Sequence, residues 1–100
     1  RPTCLIPFKA KAWLDLRERK NNGEHIDSRN IRKHKNDVFR LARLITSDTR
    51  QHLEKEIAID MKCFLRAMTK EEVDLKSMGI KGINKESIID LLYKCFGIEH

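Results

Sequence analysis

Few residues in this chain point to a cross-linked or metal-built fold. Cysteine occurs three times in 100 residues, at Cys4, Cys63 and Cys95. An odd number of widely separated thiols, with no C-x-x-C pair and no Cys/His cluster, argues against a disulfide framework and against a zinc site. Buried or idle thiols in a reducing, cytoplasmic setting are expected. No apolar run approaches the ~20 residues that cross a bilayer, so no membrane partner is expected. The start, Arg1-Pro2-Thr3-Cys4-Leu5-Ile6-Pro7, lacks the apolar core and small-residue cleavage site of a secretory leader. It also lacks an initiator Met, which leads us to expect a piece of a longer polypeptide. The common signatures of catalysis are missing as well: a carboxylate pair in a strand-turn context, a phosphate-binding glycine loop, a dinucleotide fingerprint, a Ser/His/Asp grouping. His25, His34, His52 and His100 are scattered and read as solvated side chains. Alone, the chain does not look like a complete enzyme.

What is present is charge, unevenly placed. Residues 1–43 hold 12 Lys and Arg against 5 Asp and Glu, a net of +7. Residues 44–100 hold 9 against 10, a net of −1, which together give the +6 of the whole chain. Such asymmetry suits an acidic partner: nucleic acid, a nucleotide phosphate or an acidic protein surface.

Hydrophobic spacing predicts an all-α, antiparallel array of about five helices in one small domain. The first helix is expected over 7–20, with Pro7 at an early position, Phe8, Ala12, Trp13 and Leu16 inward, and Asn21-Asn22-Gly23 as a left-handed stop. Asp27 or Ser28 caps a second helix over 28–45, with Ile31, Val38, Leu41, Ala42 and Ile45 buried. Its remaining positions carry Arg29, Arg32, Lys33, Lys35, Arg40 and Arg43. Asp48 and Gln51 read as a capping pair for a helix over 48–68, with Leu53, Ile57, Met61, Phe64, Leu65 and Met68 as its stripe. Thr69-x-x-Glu72 reads as a capping box for a short helix over 70–78, stopped by Gly79. Asn84 caps the last helix, 84–96, which turns Ile88, Leu91, Leu92 and Phe96 inward and closes at Gly97.

Three segments bear on chemistry. In Lys9-Ala10-Lys11-Ala12-Trp13, the two lysines diverge by about 200° on a helix, so at most one faces a given pocket. A solvated face is the plainer reading; the functional one is a Lys that meets a triphosphate as a mobile point charge. In Lys33-His34-Lys35-Asn36-Asp37, Lys33 and Asp37 stand at i,i+4 and can form a surface pair worth a few tenths of a kcal/mol. Asp37 can equally orient a Lys from the first helix. Leu75-Lys76-Ser77-Met78-Gly79-Ile80-Lys81-Gly82 has the look of a helix-hairpin-helix turn, which offers backbone N–H groups to phosphate. Its turn is one residue too long and its surroundings are not basic, so a helix cap and loop is the better reading.

The run Leu5-Ile6-Pro7-Phe8-Lys9-Ala10-Lys11-Ala12-Trp13-Leu14-Asp15-Leu16, followed by Lys33-His34-Lys35-Asn36-Asp37-Val38-Phe39-Arg40-Leu41, resembles the C-terminal helical region of AbiEii/AbiGii-type nucleotidyltransferase toxins, particularly their Bacteroidetes branch. The resemblance covers about residues 5–45. In that pattern a Lys on one helix precedes a later helix carrying a basic residue and, four positions on, an Asp. Lys9 matches the first position, with Lys11 the alternative register; Lys33 and Asp37 match the pair, Lys33 standing where an Arg is usual. His34 falls where the wider family often has a second Asp. The resemblance implies nucleotide transfer from a nucleoside triphosphate with Mg. The metal-holding carboxylates and Gly-Ser motif belong to an N-terminal nucleotidyltransferase domain of the same chain, and nothing in these residues matches them. It implies no cofactor held by this segment itself. Lys9 would contact the triphosphate, with Lys11 or Lys33 nearby, and Asp37 would hold that Lys or the attacking group. A cognate antitoxin and RNA are the further partners to expect. Two alternatives use the same helices: a freestanding basic module for nucleic-acid backbones, or a surface that docks an acidic protein.

Overall fold

The computed structural model describes residues 1–100 as four α-helices and one 3-10 turn, with no strand. The helices are α1 (Pro2–Asn21), α2 (Ser28–Ala42), α3 (Lys55–Met68) and α4 (Lys85–Cys95), and the 3-10 turn is Lys76–Met78. Neighbours in sequence alternate in direction. Lys9 of α1 meets Asp37 of α2 while Lys20 meets Ser28, so these two run antiparallel. Lys11 and Trp13 face Asp60 and Phe64, which sets α3 parallel to α1. Lys85 bonds carbonyls at the end of α3, and the Cys95 carbonyl accepts the Gln51 N–H before α3 begins, so α4 returns antiparallel to it. One core joins all four helices, with Trp13 edge-on to Phe64 at 5.5 Å between ring centres. No helix is long and apolar enough to cross a membrane.

Helix α1 starts at Pro2, not at Pro7. Pro2 occupies the first turn, where a missing N–H costs nothing, and the N–H groups of Cys4 and Leu5 both reach the Arg1 carbonyl at 3.1 Å. Pro7 then lies inside the helix and leaves the Thr3 carbonyl without its helical donor. Complete burial of Ile6 holds this early turn in place. The inward face accordingly rotates: Ile6, Ala10 and Trp13 are buried, whereas Phe8 is 70% exposed. Helix α2 is capped as expected by Asp27, whose carboxylate accepts the Arg29 N–H at 2.9 Å. It ends at Ala42 and not at Ile45. Tightened i→i+3 bonds from Leu44 and Ile45 carry Ile45 into the core from outside the helix. Phe39 is fully buried, and Lys35, expected on the outer side, is 8% exposed.

The expected third helix loses its first seven residues. Gln51 caps nothing; its backbone N–H goes to the Cys95 carbonyl at 2.8 Å and its side-chain oxygen accepts the Thr3 hydroxyl at 3.2 Å. Ile57, near the true start, is 43% exposed. The Thr69–Glu72 box opens no helix. The Thr69 hydroxyl turns back to the Arg66 carbonyl, and three carbonyls that a helix would use accept lysines: Thr69 and Glu71 from Lys85, Glu72 from Lys35. Only the 3-10 turn forms, with the Asp74 carboxylate accepting the Ser77 N–H and Gly79 stopping it at φ +74°. The span 75–82 is thus a turn and loop between α3 and α4. Asn84 caps α4 by accepting the Ser87 N–H at 2.8 Å.

The rotated register of α1 makes a direct prediction for urea unfolding. Ile6→Ala should cost about 2–5 kcal/mol, as for buried aliphatic truncations, while Phe8→Ala should change stability by no more than ~0.5 kcal/mol. The reverse order would place the α1 core face where sequence spacing alone put it.

Candidate functional site

Antiparallel packing of α1 on α2 brings Lys9 to Asp37, with Nζ to Oδ2 at 3.1 Å. Arg40, one turn further along α2, approaches the other carboxylate oxygen at 3.4 Å. Lys33, four residues before Asp37, makes no ion pair with it, so the carboxylate serves another helix in place of its own i,i+4 neighbour. The Lys9 and Asp37 side chains are 26% and 20% exposed. The pair is thus partly shielded and still in contact with solvent, where an ion pair contributes little to stability. Lys11 lies apart, paired with Asp15 at 3.2 Å and with Asp60 of α3 at 3.6 Å. The hydrogen bond to Asp15, then the Asp60 charge, raise its ammonium above the usual lysine range.

His34 belongs to the same cluster and departs from the solvated reading. It is half-buried, and its Nδ1 is sealed from solvent without a hydrogen-bond partner. Burial, then the Lys9 charge, hold the imidazole below its ordinary value of 6.5; Asp37 opposes this and Lys33 adds to it. In this cluster Lys9 and Arg40 share one carboxylate beside an imidazole whose charged form is disfavoured, with Lys33 acting on that imidazole and not on Asp37. Chemically the cluster can receive and orient a phosphate oxygen. No three His, Cys, Asp or Glu side chains converge as metal ligands.

A second basic feature escaped the sequence reading. Between the C-terminal half of α1 and the start of α2 runs an open groove of about 310 Å³ lined by Arg17, Lys20, Arg32 and Lys35 with one acid, Glu71. The Arg17 guanidinium lies over the Trp13 ring at 4.3 Å. Lys20 is hydrogen-bonded to Ser28. Lys35 reaches across to the Glu71 carboxylate at 3.2 Å and the Glu72 carbonyl at 2.9 Å. The signal was available in the spacing. Trp13, Arg17 and Lys20 share one face of α1, and Ser28, Arg32 and Lys35 one face of α2. Only the antiparallel pairing shows that the two faces meet. Of the cysteines, Cys4 and Cys63 are exposed and Cys95 is buried, burial pushing its thiol up.

Because the folded protein holds His34 below its unfolded value, the unfolded chain binds more protons just under pH 6.5. Stability should thus be level above that pH and fall as pH drops through it toward the depressed folded value. Urea midpoints from about pH 8 to pH 5 should show this slope, and His34→Gln should flatten it; an unchanged slope in the variant would remove His34 as its source.

Searches against family models, curated proteins and solved structures find no match to this chain.

Proposed function

We propose that this chain is the helical, phosphate-gripping part of a nucleotidyltransferase-like, toxin-type protein, inactive alone. Lys9 meets the triphosphate of a bound nucleotide. Asp37 positions the Lys9 ammonium, and Lys33 adds to the field at the entrance. Phosphoryl transfer involves little covalent work by the protein and depends on cations already in place where charge develops. A Lys held by a carboxylate across a helix–helix contact is preplaced in that sense. The Gly-Ser motif, the metal-holding carboxylates, Mg and the nucleotide's other contacts belong to an N-terminal domain of the same polypeptide. One observation supports the reading above others. The residues picked out by the resemblance on two separate helices, Lys9 and Asp37, stand 3.1 Å apart, although Lys33 lies only four residues before Asp37 on its own helix.

A second reading is favoured by the groove of Arg17, Lys20, Arg32 and Lys35. Four cations along one furrow suit the backbone of a nucleic acid. Trp13, buried and covered by Arg17, offers no free face for base stacking. A module of this kind binds without sequence preference and with a steep salt dependence.

In the full-length protein, Lys9→Ala should lower nucleotide transfer by about 10²–10³-fold, the scale for losing one charge-stabilising group. Asp37→Asn should lower it by up to about 10²-fold through misplacement of Lys9, and Lys11→Ala should have no effect. Full transfer activity in Lys9→Ala, together with loss of salt-sensitive polynucleotide binding in Arg17→Glu/Arg32→Glu, would favour the binding module instead.

A further inference from the structure

Away from the basic face lies a cleft of a different chemistry. It forms where the end of α2 meets residues 80–83 and α4. Ala42, Ile45, Ile80, Ile83, Ile88 and Leu91 make its apolar wall. Two charged residues complete it, Arg43 and Lys81, and no acid lines it. Ile83 is 42% exposed and Leu44, next to Arg43, is 68% exposed, so apolar surface continues onto the rim. Arg43 and Lys81, like several other cations of the surface, make no ion pair or side-chain hydrogen bond, and here both stand beside the apolar wall with no acid among its lining residues. These two cations are left without counter-charge at the mouth of an apolar recess.

Size and shape narrow the occupant. The volume, about 260 Å³, is small and suits one or two side chains of a larger partner. Lipid surfaces are met by protruding amphipathic faces that sink into the headgroup layer, not by a recess. Nucleic-acid backbones have no use for six apolar walls. We propose that this cleft docks an acidic protein through a short segment that sets one or two apolar side chains between Asp or Glu residues. The apolar side chains enter between Ile80, Ile83 and Leu91, and the flanking carboxylates meet Arg43 and Lys81. The surface shares no residue with the Lys9–Asp37 cluster or the Arg17–Lys35 groove, so the proposal stands independently of the nucleotide reading.

The test is titration of the chain with a fluorescein-labelled peptide, Glu-Asp-Leu-Leu-Asp-Glu, followed by anisotropy and by the methyl resonances of Ile80, Ile83 and Leu91. Saturable binding that moves these methyls is expected. Replacing the two leucines of the peptide by alanines, or Arg43→Glu/Lys81→Glu in the chain, should each weaken binding by about tenfold or more, and Arg17→Glu should not. The peptide swap needs no altered chain, and circular dichroism checks the fold of the double variant. The proposal fails if binding does not saturate by about 1 mM, or if the alanine peptide binds as tightly. It also fails if the shifts map to the Lys9–Asp37 cluster or the Arg17–Lys35 groove and not to the cleft, or if phosphatidylserine vesicles bind the chain through Arg43 and Lys81 while the peptide does not.

Discussion

The rotation of α1 about its own axis sets most of what the surface of this protein can do. Ile6, Ala10 and Trp13 are inaccessible to solvent or nearly so, and the edge-on contact of Trp13 with Phe64 makes that orientation directional as well as apolar. Once these three point inward, every other side chain of α1 has its direction. Lys9 turns to α2, Lys11 turns to α3, Phe8 faces outward and Arg17 lies over the indole at the head of the basic groove. A rotation of one residue, about 100°, would take Lys9 from Asp37 and bury a different stripe.

Charge follows from this packing more than from composition. The basic excess of the first 43 residues does not spread as one uniform face. On one side of α2 it gathers around Asp37, where Lys9 and Arg40 share a carboxylate beside a desolvated His34. On another it forms the groove in which Lys35 is drawn inward by Glu71 and the Glu72 carbonyl. The groove's second-half contribution is small but specific: Glu71 is what makes a buried Lys35 tolerable, since an unpaired charge there would be costly. The same stretch explains why residues 69–72 are irregular, because their carbonyls face lysines and not helical N–H groups.

Much of this was legible in the residues. Helix class, the Asp27 and Asn84 caps, the Gly23 and Gly79 stops and the burial of Ile88, Leu92 and Phe96 follow from local chemistry that the fold leaves undisturbed, while Leu91 is only half-buried and Ile89, Tyr93 and Cys95 join the core. The departures have one cause, long-range contacts that overrule local signals. Pro7 reads as a helix start, yet burial of Ile6 extends α1 through it. Gln51 reads as a cap, yet α4 takes its N–H. Thr69 and Glu72 read as a box, yet Lys35 and Lys85 take the carbonyls. At the candidate site, the sequence named Lys9 and Asp37 on separate helices but left the i,i+4 pair with Lys33 open, and the antiparallel packing brings Lys9 to Asp37. It missed Arg17, Lys20, Arg32 and Lys35, because facing stripes on two helices become one groove only when their pairing is known.

We propose that the Lys9–Asp37 contact serves a nucleotide rather than the fold. A double-mutant cycle of Lys9→Met and Asp37→Asn in the full-length protein separates the two, read once as nucleoside triphosphate affinity and once as unfolding free energy. A coupling of about 1–3 kcal/mol in nucleotide binding and less than ~0.5 kcal/mol in stability is expected. A coupling confined to stability, with triphosphate affinity unchanged in all three variants, would contradict the proposal.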